Sequence, residues 1–242
     1  MRPLIALALL ASTALPAGAA TITAAFAANF TAPAEALAEA FAAETGHEIR
    51  LSFGATGGLY TQIAQGAPFD LFLAADDVRP ALAIAEGLGV EGSVFTYAIG
   101  RLALYAPEAE AADETLLSSS FTRLAVADPQ AAPYGRAAVE TLAALGLGEA
   151  LADRLVTGQT IAQALQFVKT GNAELGFVAL SQVIAEPSAT YWLVPDTLHS
   201  PIRQDAVLLS DSAEPEAASQ FLAFLRSDAG RAIIEAFGYG VD

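Results

Sequence analysis

The chain has 242 residues, with 11 Lys and Arg against 27 Asp and Glu for a formal net charge of −16, which disfavours nucleic acid and anionic membranes as partners. It contains no cysteine, so disulfide frameworks and thiolate chemistry are excluded. Its two histidines, His47 and His199, fall in no metal-ligand spacing, and each is expected as a surface or strand-end residue.

Met1 to Ala20 carries one charge, Arg2, then the apolar run Leu4–Leu10 and a small-residue end, Pro16-Ala17-Gly18-Ala19-Ala20. That pattern is a secretory signal peptide with cleavage after Ala19, too short in its apolar part to span a bilayer as a permanent helix. Residues 1–19 are therefore expected to be removed, leaving an exported, soluble chain of sufficient length for one large or two modest domains.

Thr21 to Ala27 reads as a first strand that stops at Asn29-Phe30-Thr31. A helix follows, with Pro33 in its first turn, Ala34, Leu37, Ala38 and Phe41 on one face, and Gly46 at its end. His47 to Phe53 is the second strand, which completes a βαβ unit with parallel strands and a right-handed crossover. The next stretch, Gly54-Ala55-Thr56-Gly57-Gly58, reads as a small-residue loop before a helix led by Leu59 and Ile63. Its glycines can take φ > 0, and uncovered N–H groups at a helix start favour an anion. No Lys follows where a P-loop requires one, and the same stretch also fits an ordinary strand-to-helix turn. Asn29 and Thr56 both lie at carboxyl ends of parallel strands, where open α/β sheets bind ligands.

Pro68 precedes a strand at 70–75, and Asp76-Asp77 then open a helix through Leu82 and Ile84. A helix N-cap accounts for these adjacent carboxylates more simply than a metal or acid/base pair. Phe95 to Tyr105 exceeds a typical strand, which points to a crossing between lobes. After a polar loop at 108–120 comes a strand at 124–128, then Ala131-Ala132-Pro133-Tyr134-Gly135 and a helix bearing Ala138, Leu142 and Leu145. Tyr134 stands at that helix start, either as a packing aromatic or as a donor through its N–H and phenol. Thr160 is an N-cap, so the first-turn N–H groups beyond it, including that of Ile161, form another donor cluster. Strands are expected at 175–180 and 191–195. The 202–210 strand returns the chain to the first lobe, and two closing helices carry Phe221, Leu222, Leu225, Ile233 and Phe237. With neither a nucleophile set nor a metal set in view, an enzyme is not expected.

From about Thr21 onward, several stretches carry a resemblance: Ala27-Ala28-Asn29-Phe30, Ser52-Phe53-Gly54-Ala55-Thr56-Gly57, Gly66-Ala67-Pro68-Phe69-Asp70 and Phe95 to Leu102. To these are added Asp128 to Gly135, Thr160-Ile161-Ala162-Gln163, Leu175 to Leu180 and Gln204-Asp205-Ala206-Val207. Together, in this order, the chain resembles the periplasmic molybdate-binding proteins of ABC transporters. The resemblance implies an α/β, two-lobed type II periplasmic-binding-protein fold, each lobe a mixed, mostly parallel sheet flanked by helices, joined by two crossover strands. The lobes are expected at 20–98 with 205–242, and at 99–204. It implies molybdate or tungstate in the cleft, held by Asn29, Thr56, Tyr134 and Ile161, with no side chain bonded directly to the metal and no cofactor. A sulfate or other oxyanion receptor is the alternative. Where some relatives place a tyrosine hydroxyl this chain has Ala179, and a phenol at Tyr134 takes its place in another branch. The expected setting is a periplasmic monomer that serves a membrane permease.

Overall fold

The computed structural model describes residues 18–187 and 189–241; all but the last two residues of the expected leader lie outside them. Ten strands form two five-stranded sheets. The first contains β1 (Thr21–Ala27), β2 (Glu48–Gly54), β3 (Leu71–Leu73), β4 (Phe95–Gly100) and β10 (Ile202–Leu208) in the order β2-β1-β3-β10-β4. The second contains β5 (Leu102–Tyr105), β6 (Leu124–Ala127), β7 (Leu155–Gly158), β8 (Leu175–Ala179) and β9 (Tyr191–Leu193) in the order β7-β6-β8-β5-β9. Each sheet is parallel except for its fourth strand, β10 or β5, which pairs antiparallel on both sides.

The two sheets communicate through the chain itself. The apolar run at 95–105 divides at Gly100-Arg101 into β4 of the first sheet and β5 of the second, so its excess length is a crossing. The chain returns after β9 and joins the first sheet at Ile202. Among the described residues eight α-helices flank the sheets: α1 (Thr31–Thr45), α2 (Thr56–Ala64), α3 (Val78–Ala85), α4 (Pro133–Ala144), α5 (Gly148–Leu151), α6 (Ile161–Lys169), α7 (Pro215–Arg226) and α8 (Asp228–Ala236). These constitute the two-lobed type II periplasmic-binding-protein architecture.

The first lobe is built on aromatic side chains. Phe26, Phe30, Phe41 and Phe221 are buried together, with Phe30 edge-on to Tyr97 at 4.9 Å between ring centres. Asp70 ties this lobe together at the end of the strands away from the cleft. Its carboxylate accepts from the N–H of Thr23 at 2.7 Å, the hydroxyl of Ser212 at 2.7 Å and the N–H groups of Ala213 and Glu214 at 2.8 and 3.1 Å. Burial alone raises a carboxyl pKa, yet these donors outweigh it and hold Asp70 below its ordinary value. The second lobe's core is aliphatic and Ala-rich, and Ala27, Ala28 and Ala75 of the first lobe belong to the same apolar cluster. The lobes therefore touch across the cleft.

Three local expectations change. Both histidines are buried, His199 against the expectation, while His47 stands at a strand end as expected, just before β2, where its Nδ1 accepts from the N–H of Ala20 at 3.0 Å. Gly57 and Gly58 lie inside the first turn of α2, and neither has positive φ. Asp76 rather than Asp77 caps α3, since its Oδ1 accepts from the N–H of Arg79 at 3.0 Å while Asp77 makes no cap bond.

Candidate functional site

Four chain segments end at one small cavity between the lobes. The turn of 3-10 helix at Ala28–Phe30 leads into α1, and α2 begins at Thr56; both follow strands of the first sheet. From the second lobe, α4 begins at Pro133 and α6 at Ile161, after β6 and β7. Asn29, Thr56, Tyr134 and Ile161 all line the cavity, along with Ala28 and Ala132. About 10 Å³ is open there to the centre of a water-sized body. No lining residue carries a charge.

The local geometry explains why particular N–H groups remain free. In the first turn of α4, Pro133 has no N–H, while Gly135 and Arg136 donate to the carbonyl of Ala132 at 2.9 and 3.2 Å. That leaves the Tyr134 N–H as the unused donor of the turn. Gly135 allows this approach, because a Cβ there would fall on the Ala127 carbonyl at the end of β6. At α6, the hydroxyl of Thr160 accepts from the N–H of Gln163 at 3.1 Å, and the side chain of Gln163 accepts from the N–H of Gln159 at 2.6 Å. This capping leaves the N–H of Ile161, at the first helical position, without an intrahelical acceptor.

Thr56 is nearly fully buried, and its hydroxyl oxygen accepts from the N–H of Ala75 at 3.0 Å. A hydroxyl has one proton to give, and this bond leaves the Thr56 proton available to the cavity.

The polar tips of Asn29 and Tyr134 turn elsewhere. The Asn29 amide donates to Oε1 of Gln204 at 2.8 Å and to the Tyr239 hydroxyl at 2.9 Å. The Tyr134 hydroxyl accepts from Nε2 of Gln204 at 3.3 Å and is bonded to Tyr239. It packs so closely over Gly100 that a Cβ there would collide with it. Gly100, Gln204 and Tyr239 do not line the cavity, so the phenol sits in a separate network on the hinge side. Asn29 and Tyr134 therefore line the cavity without turning their polar tips to it.

That network is completed by Tyr97, whose single hydroxyl proton is shared between the Ala74 carbonyl at 3.0 Å and Oε1 of Gln204 at 3.2 Å. Ser181 and Tyr239 both donate to the Asn29 carbonyl at 2.9 Å. Burial pushes the phenols of Tyr97 and Tyr134 well above their ordinary pKa and that of Tyr239 to about 12, so all three remain protonated donors at neutral pH. Sequence reasoning missed Ser181, Gln204 and Tyr239 as a group. The one local signal was Gln204, a polar residue two positions before the apolar run Ala206–Leu209 beside the crossover.

Chemically, the site presents uncharged N–H and O–H donors at helix starts around a small interlobe cavity. Among the described residues no group of three or more His, Asp or Glu side chains could hold a bare metal ion, and no helix is long and apolar enough to cross a membrane.

Residues 22–240 match the family described as bacterial extracellular solute-binding protein. The chain is 48% identical over 236 residues to the molybdate-binding protein ModA of Rhodobacter capsulatus, covering 97% of this chain and 94% of that one. It is 49% identical over 234 residues to the ModA of Azotobacter vinelandii, covering 94% and 93%. The solved periplasmic molybdate-binding protein of Azotobacter vinelandii superposes with a TM-score of 0.88 at 36% identity, over 91% of this chain and 99% of that one.

Proposed function

The chain belongs to the bacterial extracellular solute-binding proteins, within their molybdate-binding branch, and from that premise we propose that it captures molybdate and tungstate in the interlobe cavity for an ABC transporter. One observation carries the reading: four helix starts from two lobes converge on a single small cavity that has donors and no charged side chain. Helix N-termini favour anions through their free N–H groups and the helix dipole. In a chain of this net charge, such local dipoles must overcome a repulsive overall field.

On this reading the contacts are as follows. Thr56 gives its hydroxyl proton, and Asn29, Tyr134 and Ile161 give backbone N–H groups. Molybdate at neutral pH is a fully deprotonated dianion and accepts at every oxygen. Hydrogen phosphate brings a proton that finds no carboxylate acceptor, and an unpaired buried polar group costs about 1–3 kcal/mol. Sulfate shares molybdate's lack of a proton and differs only in its shorter bonds, so the cavity must reject it by size. Charge-assisted bonds are each worth about 1.5–3 kcal/mol, so the four donors supply roughly 6–12 kcal/mol before ordering costs, against the roughly 8 kcal/mol of a micromolar complex.

In this reading the chain is exported through its N-terminal leader and works in the periplasm as a monomeric carrier rather than an enzyme. Its closed form docks on the membrane permease. Titration calorimetry of residues 20–242 against molybdate, tungstate, sulfate and phosphate is the test. Submicromolar binding of the first two is expected, with phosphate weaker by about tenfold or more. Equal affinity for phosphate, or no binding of molybdate, would refute the assignment.

A further inference from the structure

Across the mouth of the cleft, two adjacent carbonyls of the second lobe face the first. The N–H of Gly57 donates to the Ala131 carbonyl at 2.9 Å, and Nη2 of Arg79 donates to the Gln130 carbonyl at 3.1 Å. Both bonds join the lobes, so both require the cleft to be shut. Each side is arranged in advance. Buried Asp76 holds Arg79 through an ion pair to Nη1 and a bond from its N–H. Asp128 shapes the opposing loop: its Oδ1 accepts from the N–H of Gln130 at 2.9 Å, and its carbonyl takes those of Ala131 and Ala132 at 3.2 and 2.8 Å. None of Gly57, Asp76, Arg79 or Gln130 lines the cavity.

We propose that Arg79 and Gly57 form a clasp that holds the cleft shut, so that Arg79 sets how long the anion stays without touching it. The inference rests on the oxyanion reading above for its ligand. A bond made only in the closed form raises the closed fraction, and apparent affinity scales with that fraction. Release requires opening, so the loss appears in dissociation rather than association. Gly57 acts by its size. A Cβ there would stand 3.3 Å from the Cα and carbonyl oxygen of Ala131 and from Nη2 of Arg79, closer than ordinary contact. Ala131 belongs to the other lobe, so the crowding is relieved by opening. An alanine would also be the better helix former, which leaves the closed form as the state that bears the cost.

A rival role for Arg79 is to draw the dianion into an acidic protein, which acts on association and is screened by salt. Arg79→Lys separates the two, because it keeps the charge but cannot hold Asp76 and reach Gln130 with the same fork. Stopped-flow binding of molybdate to residues 20–242 should show dissociation about tenfold faster for Arg79→Lys and about threefold faster for Gly57→Ala. Association should change less than twofold, and the unliganded Tm should hold. Unchanged dissociation in both variants, or an effect confined to salt-dependent association, overturns the clasp. If the unsubstituted protein binds no molybdate, the oxyanion reading fails by itself. Solution scattering of the unliganded chains then decides: a larger radius in Gly57→Ala and Arg79→Lys supports the clasp, and equal radii overturn it.

Discussion

On its hinge side the cleft is closed by neutral side chains out of reach of water, Asn29, Tyr97, Tyr134, Ser181, Gln204 and Tyr239, whereas at its mouth it is closed by one backbone bond and a half-buried arginine. The difference is one of replacement. Water can take over the mouth contacts when the lobes part, so breaking them leaves no buried group unpaired. Water does not reach the hinge groups, and any of them left unpaired keeps its desolvation penalty. The hinge side is thus suited to a fixed pivot and the mouth to a reversible seal.

The strongest way to break that contrast is at Gln204, whose amide bonds Asn29, Tyr97 and Tyr134. Gln204→Leu removes one hydrogen bond from each of three buried partners, at about 1 kcal/mol apiece, and should cost about 3 kcal/mol. Thermal unfolding should then fall by roughly 6–12 °C. A Tm within a degree of the unsubstituted protein would show that the network is not what fixes the pivot. Thr56→Val comes next, removing the one side-chain hydroxyl assigned to the cavity. Calorimetry should record molybdate affinity about tenfold to a hundredfold weaker, with roughly 1 kcal/mol lost in stability because Ala75 loses its acceptor.

Tyr134→Phe is a sharper comparison. Its phenol belongs to the hinge network, so stability should drop by about 1 kcal/mol, while affinity falls much less than in Thr56→Val. A loss equal to that of Thr56→Val in the same titration would return the phenol to the anion. Asp70→Asn should affect binding least, since it lies at the far end of the first sheet. Its effect is on acid stability. Because the native carboxyl pKa is lowered, the stabilisation is present above the ordinary carboxylate pKa and is lost as pH falls through the native value. Urea unfolding should therefore show the variant less stable at neutral pH, with the gap narrowing in acid; a constant gap would remove Asp70 as the source.

Much of the fold was legible because its signals are local. The alternation at 21–27, the helical spacing of Ala34, Leu37 and Phe41, and Pro33, Gly46 and Thr160 at helix ends each act within a few residues. The over-long run at 95–105 revealed the crossing because one strand cannot use that length. The cavity-lining positions Asn29, Thr56, Tyr134 and Ile161 were legible for the same reason, since each marks a helix start after a strand. The reason for Gly57 was misread. Its small size serves a carbonyl from the other lobe, and nothing within its own segment reports that neighbour.

The amino-acid order by itself determined where strands end and helices begin, and hence which N–H groups lack a helical partner, because those outcomes depend on neighbours one turn away. Only the tertiary structure decided which polar tips point at the cavity and which at the hinge. Asn29 meets Gln204 across 175 positions and Tyr239 across 210, and hydrogen bonds of that span are chosen by packing in space.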